Sequence, residues 1–349
     1  MKRSTVYNDD LTIRWDEVNN KNKKLLKEFI NYCVANDKSP QTCKQYEAQL
    51  KVFFCWNLNE NDNKFFIDVK KRDFVNFFGW GRAEMGWSPN RLSSLRAVLS
   101  SFSNFIERIL DEDYPMFRNV IKVLEPIRVE PVREKTIIEK DDIINSIEKL
   151  VSENQIQEAC FLSLLFSSGM RKSEATQMKV EYFTTNKRDV FNGMAYATPK
   201  IRTKGHGAKG KQIPRYIFKV SFDKYLNLWL DKRKELNIEN EYLFIVKSNG
   251  EYVPASISTF NSWIKRIGDE MGVDLYAHSL RHAFTTYLKK QGYPVDIIQK
   301  IQNWASADLV GVYVDSTNEE ELDGFFKQLN SDGTYTQKNP LSEDLPDLK

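Results

Sequence analysis

Cysteine is scarce in this chain: four residues in 349, at positions 33, 43, 55 and 160, with no CxxC pair and no histidine-rich partner segment. That spacing excludes a zinc finger and a disulfide scaffold, and it suits a reducing cytoplasm. Histidine is scarcer still, with three residues, all in the second half. Long apolar runs are absent, and mean hydropathy is −0.53, so no membrane span is expected. The opening segment, MKRSTVYNDDLTIRWDE, has basic residues but no apolar h-region. No secretory signal is therefore expected, and a cytoplasmic protein is. What remains is an ordinary globular balance, 41% hydrophobic and 28% charged, long enough for two domains with cores of their own.

The net charge of +3 says little about partners; its distribution says more. Residues 1–130 carry 21 basic and 18 acidic groups, residues 131–315 carry 27 and 22, and residues 316–349 carry 3 and 8. An acidic tail thus masks a basic body. Residues 187–219 hold nine Lys/Arg and one acid, Asp189. A concentrated basic stretch is what a polyanion-binding surface needs. Taken alone, such a run is more often a solvated hairpin.

Helical patterning comes first along the chain. Leu25, Leu26, Phe29, Ile30, Cys33 and Val34 fall on one helix face. Ser39-Pro40 and Ser88-Pro89 each read as a cap followed by proline at the first helical position. Tyr46, Leu50, Phe53 and Phe54 form the inward stripe of one of these helices. Leu92, Leu95, Val98, Leu99, Phe102, Phe105, Ile106 and Leu110 form that of the other. Asp73–Phe78 makes a shorter helix, and the four predict a small bundle. Pro126 and Pro131 favour an extended chain, so residues 123–135 read as a linker. Helices resume at 141–152 and 156–166, the second broken by Ser167-Ser168-Gly169. Strand-like runs follow at 182–198 and 213–220, joined by the basic, glycine-bearing KIRTKGHGAKGKQ. Then come a helix at 222–236, a strand at 242–246 and helices at 258–271 and 278–292. The polar end is expected to be disordered.

Three segments could carry chemistry. In SSGMRKSEA, Arg171 precedes Glu174 by three residues, close enough for the carboxylate to hold the guanidinium. An arginine at a helix start is not favoured by the helix dipole. In AHSLRHAFTTYL, His278 and Arg281 share a helix face. His278 and His282 also have the i, i+4 spacing of metal ligands, but no third ligand accompanies them; by themselves they read as a surface or capping pair. In QNWASADLVGVYVDST, Trp304 precedes Tyr313 by nine residues. Such an aromatic pair is more often core than catalysis, and a tyrosine hydroxyl needs activation before it attacks anything.

The order of these boxes resembles the tyrosine recombinases, the phage integrase family. GMRKSE is similar to the family's GLRxSE, HSLRHAFTT is similar to HxLRHxFAT, and Trp304 stands where the family has His or Trp before its tyrosine. SPQTCKQYEAQL resembles the family's core-binding helix start. Any one box is weak, but four in order over residues 20–330 are specific. The resemblance implies a mainly α fold with a small β-sheet. An N-terminal helical core-binding (SAM-like) domain would precede a mixed α+β catalytic domain. The expected boundaries are an N-terminal extension at 1–20, the core-binding domain at 21–122, the linker at 123–135, the catalytic domain at 136–316, a docking helix at 317–330 and an acidic tail at 331–349. The short N-terminal extension matches the Xer- or Cre-like architecture, without an arm-binding domain.

The resemblance also implies a mechanism. Tyr313 would be the nucleophile on a scissile DNA phosphate, Arg171 and Arg281 would bind its non-bridging oxygens, His278 would handle the proton and Trp304 would donate its indole N–H. Glu174 would orient Arg171, and His282 would take a secondary part. A hairpin lysine would protonate the leaving oxygen: Lys204 matches best, with Lys200 and Lys209 as rivals. Lys200, Arg202, Lys209 and Lys211 are the expected DNA-binding side chains. Neither metal nor other cofactor is implied. The expected partners are double-stranded DNA with specific recombination sites and further copies of the chain in a tetramer. Residues 318–329 carry an apolar face, Leu322, Phe325, Phe326 and Leu329, that docks either on a neighbouring subunit or on its own domain. Two other functions stay open at this point: a catalytically silent DNA-binding member of the same fold, and a type IB topoisomerase-like relaxing enzyme.

Overall fold

The computed structural model describes residues 9–128, 138–203, 207 and 210–304. The chain divides into two compact units, Met1–Glu134 with Lys204–Lys211, and Lys135–Thr203 with Gln212–Lys349. Lys204, Lys209, Tyr313, the segment 317–330, the tail 331–349 and the second half of the 123–135 linker lie outside the described residues.

The first unit is built on α1 (Asn20–Ala35), α2 (Pro40–Glu60), α3 (Lys71–Ala83) and α4 (Pro89–Ile109). Three starts are set by local capping. The side chain of Asn19 accepts from the backbone N–H of Lys21, Ser39 Oγ from Thr42 and Ser88 Oγ from Arg91. Each satisfies an amide that the helix itself cannot pair. For α3, Asp73 Oδ2 accepts from the Lys70 backbone N–H at 2.8 Å. The core is aromatic: Phe53, Phe54, Phe66, Phe74, Phe77 and Phe102 are all buried. Phe66 meets Phe102 at 4.7 Å and Phe53 meets Phe77 at 5.1 Å, both edge to face, the arrangement ring quadrupoles favour. Asn22 Oδ1 accepts from the Phe66 N–H, and the amides of Asn22 and Asn57 both donate to the Lys64 carbonyl. These bonds hold the chain between α2 and α3 over the core. The expected stripes sit inward except at Val34, which is 62% exposed, and at Ile30, Tyr46 and Leu110, which are half-buried.

The second unit contains α5 (Lys140–Ser152), α6 (Ile156–Ser168), the short α7 (Lys172–Ala175), α8 (Asp223–Glu235), α9 (Ile257–Met271), α10 (Ala277–Lys290) and α11 (Val295–Gln302). Every residue of α6 from Ala159 to Ser168 is buried. Its serines survive there because Ser163, Ser167 and Ser168 return their hydroxyls to carbonyls one turn back. The strands are short: β1 (Asp189–Val190), β2 (Ala195–Ala197), β3 (Ile201–Thr203), β4 (Lys211–Ile213), β5 (Tyr216–Phe218), β6 (Ile245–Ser248) and β7 (Glu251–Pro254). They form three small sheets, β1-β2-β5, β3-β4 and β6-β7. In the first, Ala195 faces Phe218 and Ala197 faces Tyr216, antiparallel.

The strand-like run at 182–198 differs from its expectation. It starts as a 3-10 turn, Val180–Phe183, and Phe191 and Asn192 adopt left-handed backbone, so only β1 and β2 remain extended. The run at 213–220 likewise ends in a 3-10 turn at Lys219–Ser221. The strand expected at 242–246 begins at Ile245 and pairs with β7, which the pattern did not disclose. Among the described residues no helix is long and apolar enough to cross a membrane.

All four cysteines are buried and free. Burial pushes the thiols of Cys33 and Cys55 up to about 11, and burial pushes Cys160 up as well. Thiolate is the reactive form, so a shift of this size lowers it about 100-fold at neutral pH. Native protein at pH 8 is expected to resist iodoacetamide at Cys33, Cys55 and Cys160, and urea-unfolded protein to take up label at each. Mass spectrometry of tryptic peptides reads this directly; rapid native labelling at Cys33 or Cys55 would contradict it.

Candidate active site

The site grows from the C-terminal end of α6. Gly169 caps that helix with a left-handed backbone, φ 56°, which glycine adopts at no steric penalty. A Cβ at this position would lie 2.2 Å from Gln302 Nε2 and 2.6 Å from Phe284 Cδ1. The glycine therefore brings the end of α6 against α10 and the end of α11. The turn also delivers Arg171 to the residue before α7.

Arg171 and Glu174 meet as their spacing suggests. The Arg171 backbone N–H donates to Glu174 Oε2 at 3.0 Å, and Arg171 Nη1 donates to Oε1 at 2.9 Å. The carboxylate is wholly buried, whereas the Arg171 side chain keeps 25% of its surface. A second guanidinium stands on the other oxygen: Arg215 Nε lies 3.4 Å from Glu174 Oε2. Arg215 is 1% exposed. Burial pushes its guanidinium below the ordinary value, Glu174 pushes back, and the like charge of Arg171 works with burial. An arginine stays charged through shifts of this kind.

Arg281, on α10, is also 1% exposed. Its Nη1 donates to the Gly169 carbonyl and its Nη2 to the Gln302 carbonyl at 2.9 Å. Its guanidinium lies over the Trp304 ring, 5.2 Å from the centroid, a cation–π geometry. Arg215 shares the same Gln302 carbonyl through Nη1 at 3.1 Å and takes the Ser168 carbonyl through Nη2 at 3.1 Å. Two arginines thus clamp the end of α6 to the end of α11. The predicted Arg171, Glu174, Arg281 and Trp304 all belong to this one bonded cluster.

His278 is exposed and His282 half-buried on the same helix as Arg281, their rings 6.2 Å apart. Lys200 is exposed. β3 alternates in burial, so Arg202 points outward between the buried Ile201 and Thr203. β4 leaves Lys211 exposed. Among the described residues no three His, Cys, Asp or Glu side chains gather in a way that would hold a metal ion.

Arg215 and Gln302 were not among the predicted residues. A signal for Arg215 existed: it stands two residues before Ile217, on the inward parity of β5, as a charge inside the apolar run IPRYIF. Gln302 carries no comparable mark, because its part is played by its main-chain carbonyl.

A family model described as the phage integrase family matches residues 137–320. The SPbeta prophage-derived recombinase-like protein YomM of Bacillus subtilis is 28% identical over 78% of this chain and 80% of its own length. The tyrosine recombinase XerA of Pyrococcus horikoshii is 24% identical over 85% of this chain and 90% of its own. Among solved structures, XerH site-specific recombinase bound to palindromic difH substrate aligns with a TM-score of 0.61, over 91% of this chain and 94% of that one, at 16% identity. A lambda integrase dimer bound to a core site aligns at 0.60, over 84% of this chain and 77% of that one, at 15% identity. The two structures share the fold of this chain.

Proposed function

The chain belongs to the phage integrase family, the tyrosine recombinases, and we propose that it cleaves and rejoins double-stranded DNA at specific sites through a 3′-phosphotyrosine formed on Tyr313. The observation that carries this reading is one continuous cluster: Arg171 on Glu174, Glu174 beside Arg215, and Arg215 sharing the Gln302 carbonyl with Arg281, which lies over Trp304.

The chemistry follows from charge. Attack at phosphorus adds a fifth oxygen and concentrates negative charge on the non-bridging oxygens. Arg171 and Arg281 supply planar, permanently charged donors for those oxygens. Both are held by protein acceptors before DNA arrives, so little reorganisation is left for the reaction itself. The Tyr313 oxygen forms the new P–O bond as its proton passes to His278. The P–O5′ bond breaks, and a hairpin lysine, Lys204 with Lys200 and Lys209 as rivals, protonates the leaving oxygen. Attack by the 5′-hydroxyl of the exchanged strand reverses each step and frees Tyr313. Trp304 packs against Arg281 and donates its indole N–H to the phosphate, and His282 supports His278. The ester preserves the energy of the broken bond, so neither ATP nor metal is consumed.

In this reading residues 21–122 grip the core DNA, residues 136–316 do the chemistry, and Lys200, Arg202, Lys209 and Lys211 follow the backbone phosphates. Four copies assemble on paired sites in the cytoplasm, with residues 317–330 as the docking segment.

A nicked duplex built from the DNA that flanks the gene tests this, because loss of the short fragment traps the covalent adduct. A shifted band on a denaturing gel is expected. Arg171→Ala is expected to slow its appearance by about 10²–10³-fold, the usual effect of deleting one preorganised donor. No adduct from protein that binds the duplex would overturn the reading, and equal trapping of unrelated DNA would overturn site specificity.

A further inference from the structure

We propose that Arg215 is a positioning residue of this reaction: it neutralises Glu174, so that the charge of Arg171 stays available to the DNA phosphate. The proposal rests on the functional reading above, in which Arg171 holds that phosphate.

Glu174 poses a problem for such a site. A buried carboxylate bonded to Arg171 through both oxygens fixes the guanidinium well. It also cancels its charge. A neutral Arg–Glu pair presents a dipole to an incoming anion, where the chemistry needs a cation.

Arg215 restores the missing charge. Its Nε stands 3.4 Å from Glu174 Oε2, with no aligned hydrogen bond between them. The contact is therefore one of charge rather than of direction. The three groups sum to one positive charge. Arg215 is 1% exposed, whereas the Arg171 side chain keeps 25% of its surface. The surplus charge therefore faces outward on Arg171.

The placement of Arg215 is over-determined. Its two terminal nitrogens donate to the carbonyls of Ser168 and Gln302, and its backbone N–H donates to Thr198 Oγ1 at 2.9 Å. Arginine can hold two carbonyls with its fork and still turn its Nε toward a carboxylate; lysine brings the charge without the fork. The carbonyl it shares with Arg281 ties the compensating charge to the second phosphate-binding arginine.

The test is a cycle of five proteins: wild type, Arg215→Lys, Arg215→Met, Glu174→Gln and the double variant Glu174→Gln/Arg215→Met. Single-turnover cleavage of the nicked duplex and DNA affinity are measured for each. Arg215→Met is expected to slow cleavage by about 10²-fold, on the scale of one lost preorganised charge, with DNA affinity changed less than about threefold. Arg215→Lys keeps the charge and is expected to stay within about tenfold of wild type. In the Glu174→Gln background no carboxylate needs neutralising, and Arg215→Met is expected to slow cleavage by less than about threefold.

An equal loss in both backgrounds would overturn the proposal and leave Arg215 as a clamp between residues 168 and 302. Should Arg215→Met not fold, Arg215→Lys decides alone: cleavage near the wild-type rate supports neutralisation, and a loss of about 10²-fold overturns it. A wild type that traps no DNA refutes the functional reading instead. Urea denaturation of the same proteins then decides the pairing. Coupled shifts of the midpoints support a compensated Glu174, and additive shifts overturn it.

Discussion

Covalent capture of DNA is expected to vanish when Tyr313 is replaced by Phe, with DNA affinity unchanged. The substitution removes one oxygen, and with it the atom that forms the phosphodiester. Loss of a covalent nucleophile elsewhere reduces turnover by about 10⁶-fold, which on a gel is no band. No described tyrosine stands ready as a substitute among Tyr196, Tyr225 and Tyr293. A phenol must shed its proton to attack, and their surroundings oppose this. Burial pushes the Tyr225 hydroxyl up, and Glu148, which accepts its proton at 2.7 Å, pushes it further. Burial does the same for Tyr196, reinforced by Asp223, and for Tyr293. Denaturing gels beside gel-shift titrations check the expectation. A band surviving in Tyr313→Phe would move the nucleophile to another residue.

The second large effect is expected at Arg281, where stability and chemistry fall together. Arg281→Met removes the donor to the Gly169 carbonyl and one of two donors to the Gln302 carbonyl. A stranded buried carbonyl costs about 1–3 kcal/mol. In a unit of this size each kcal/mol lowers Tm by about 2–4 °C. The lost guanidinium also uncovers one face of Trp304 and removes a phosphate donor, so cleavage should fall by about 10²–10³-fold. Arg281→Lys separates the two effects. Its ammonium restores charge and reaches one carbonyl, so Tm should recover in part while cleavage stays low. Calorimetry and nicked-duplex kinetics on both variants give the comparison. Cleavage within tenfold of wild type in Arg281→Met would leave Arg281 a purely structural role.

The parts of the molecule that could be read in advance are those governed by near neighbours along the chain. Ser39-Pro40 and Ser88-Pro89 start helices because a cap and its amide lie within three residues. Arg171 and Glu174 meet for the same reason. The weave of β1 to β5 was blurred, since strands of two or three residues are too short to show alternation and left-handed Phe191 and Asn192 interrupt them. β7 stayed hidden because its four residues are half-buried or exposed and carry little apolar contrast. The link from Arg215 to Glu174 joins β5 and its approach to α7, and no periodicity reports a long-range ion pair. Gln302 was illegible for a different reason: its carbonyl would serve the two arginines whatever side chain it carried.

The close approach at Gly169 also limits how this site can drift over generations. The Gln302 amide fills the space where a Cβ at 169 would go, and neither its nitrogen nor its oxygen has a hydrogen-bond partner among the described residues. Positions 169 and 302 therefore share one volume, and a lineage cannot enlarge the first before shrinking the second. The route through a smaller residue at 302 is the passable one, since the main-chain carbonyl held by Arg215 and Arg281 survives it. The reverse order drives a methyl group into an occupied core while also placing a side chain on left-handed backbone, at about 1–2 kcal/mol for the backbone alone. Descendants of this chain that carry alanine at 169 should bear, at 302, the mark of the earlier change.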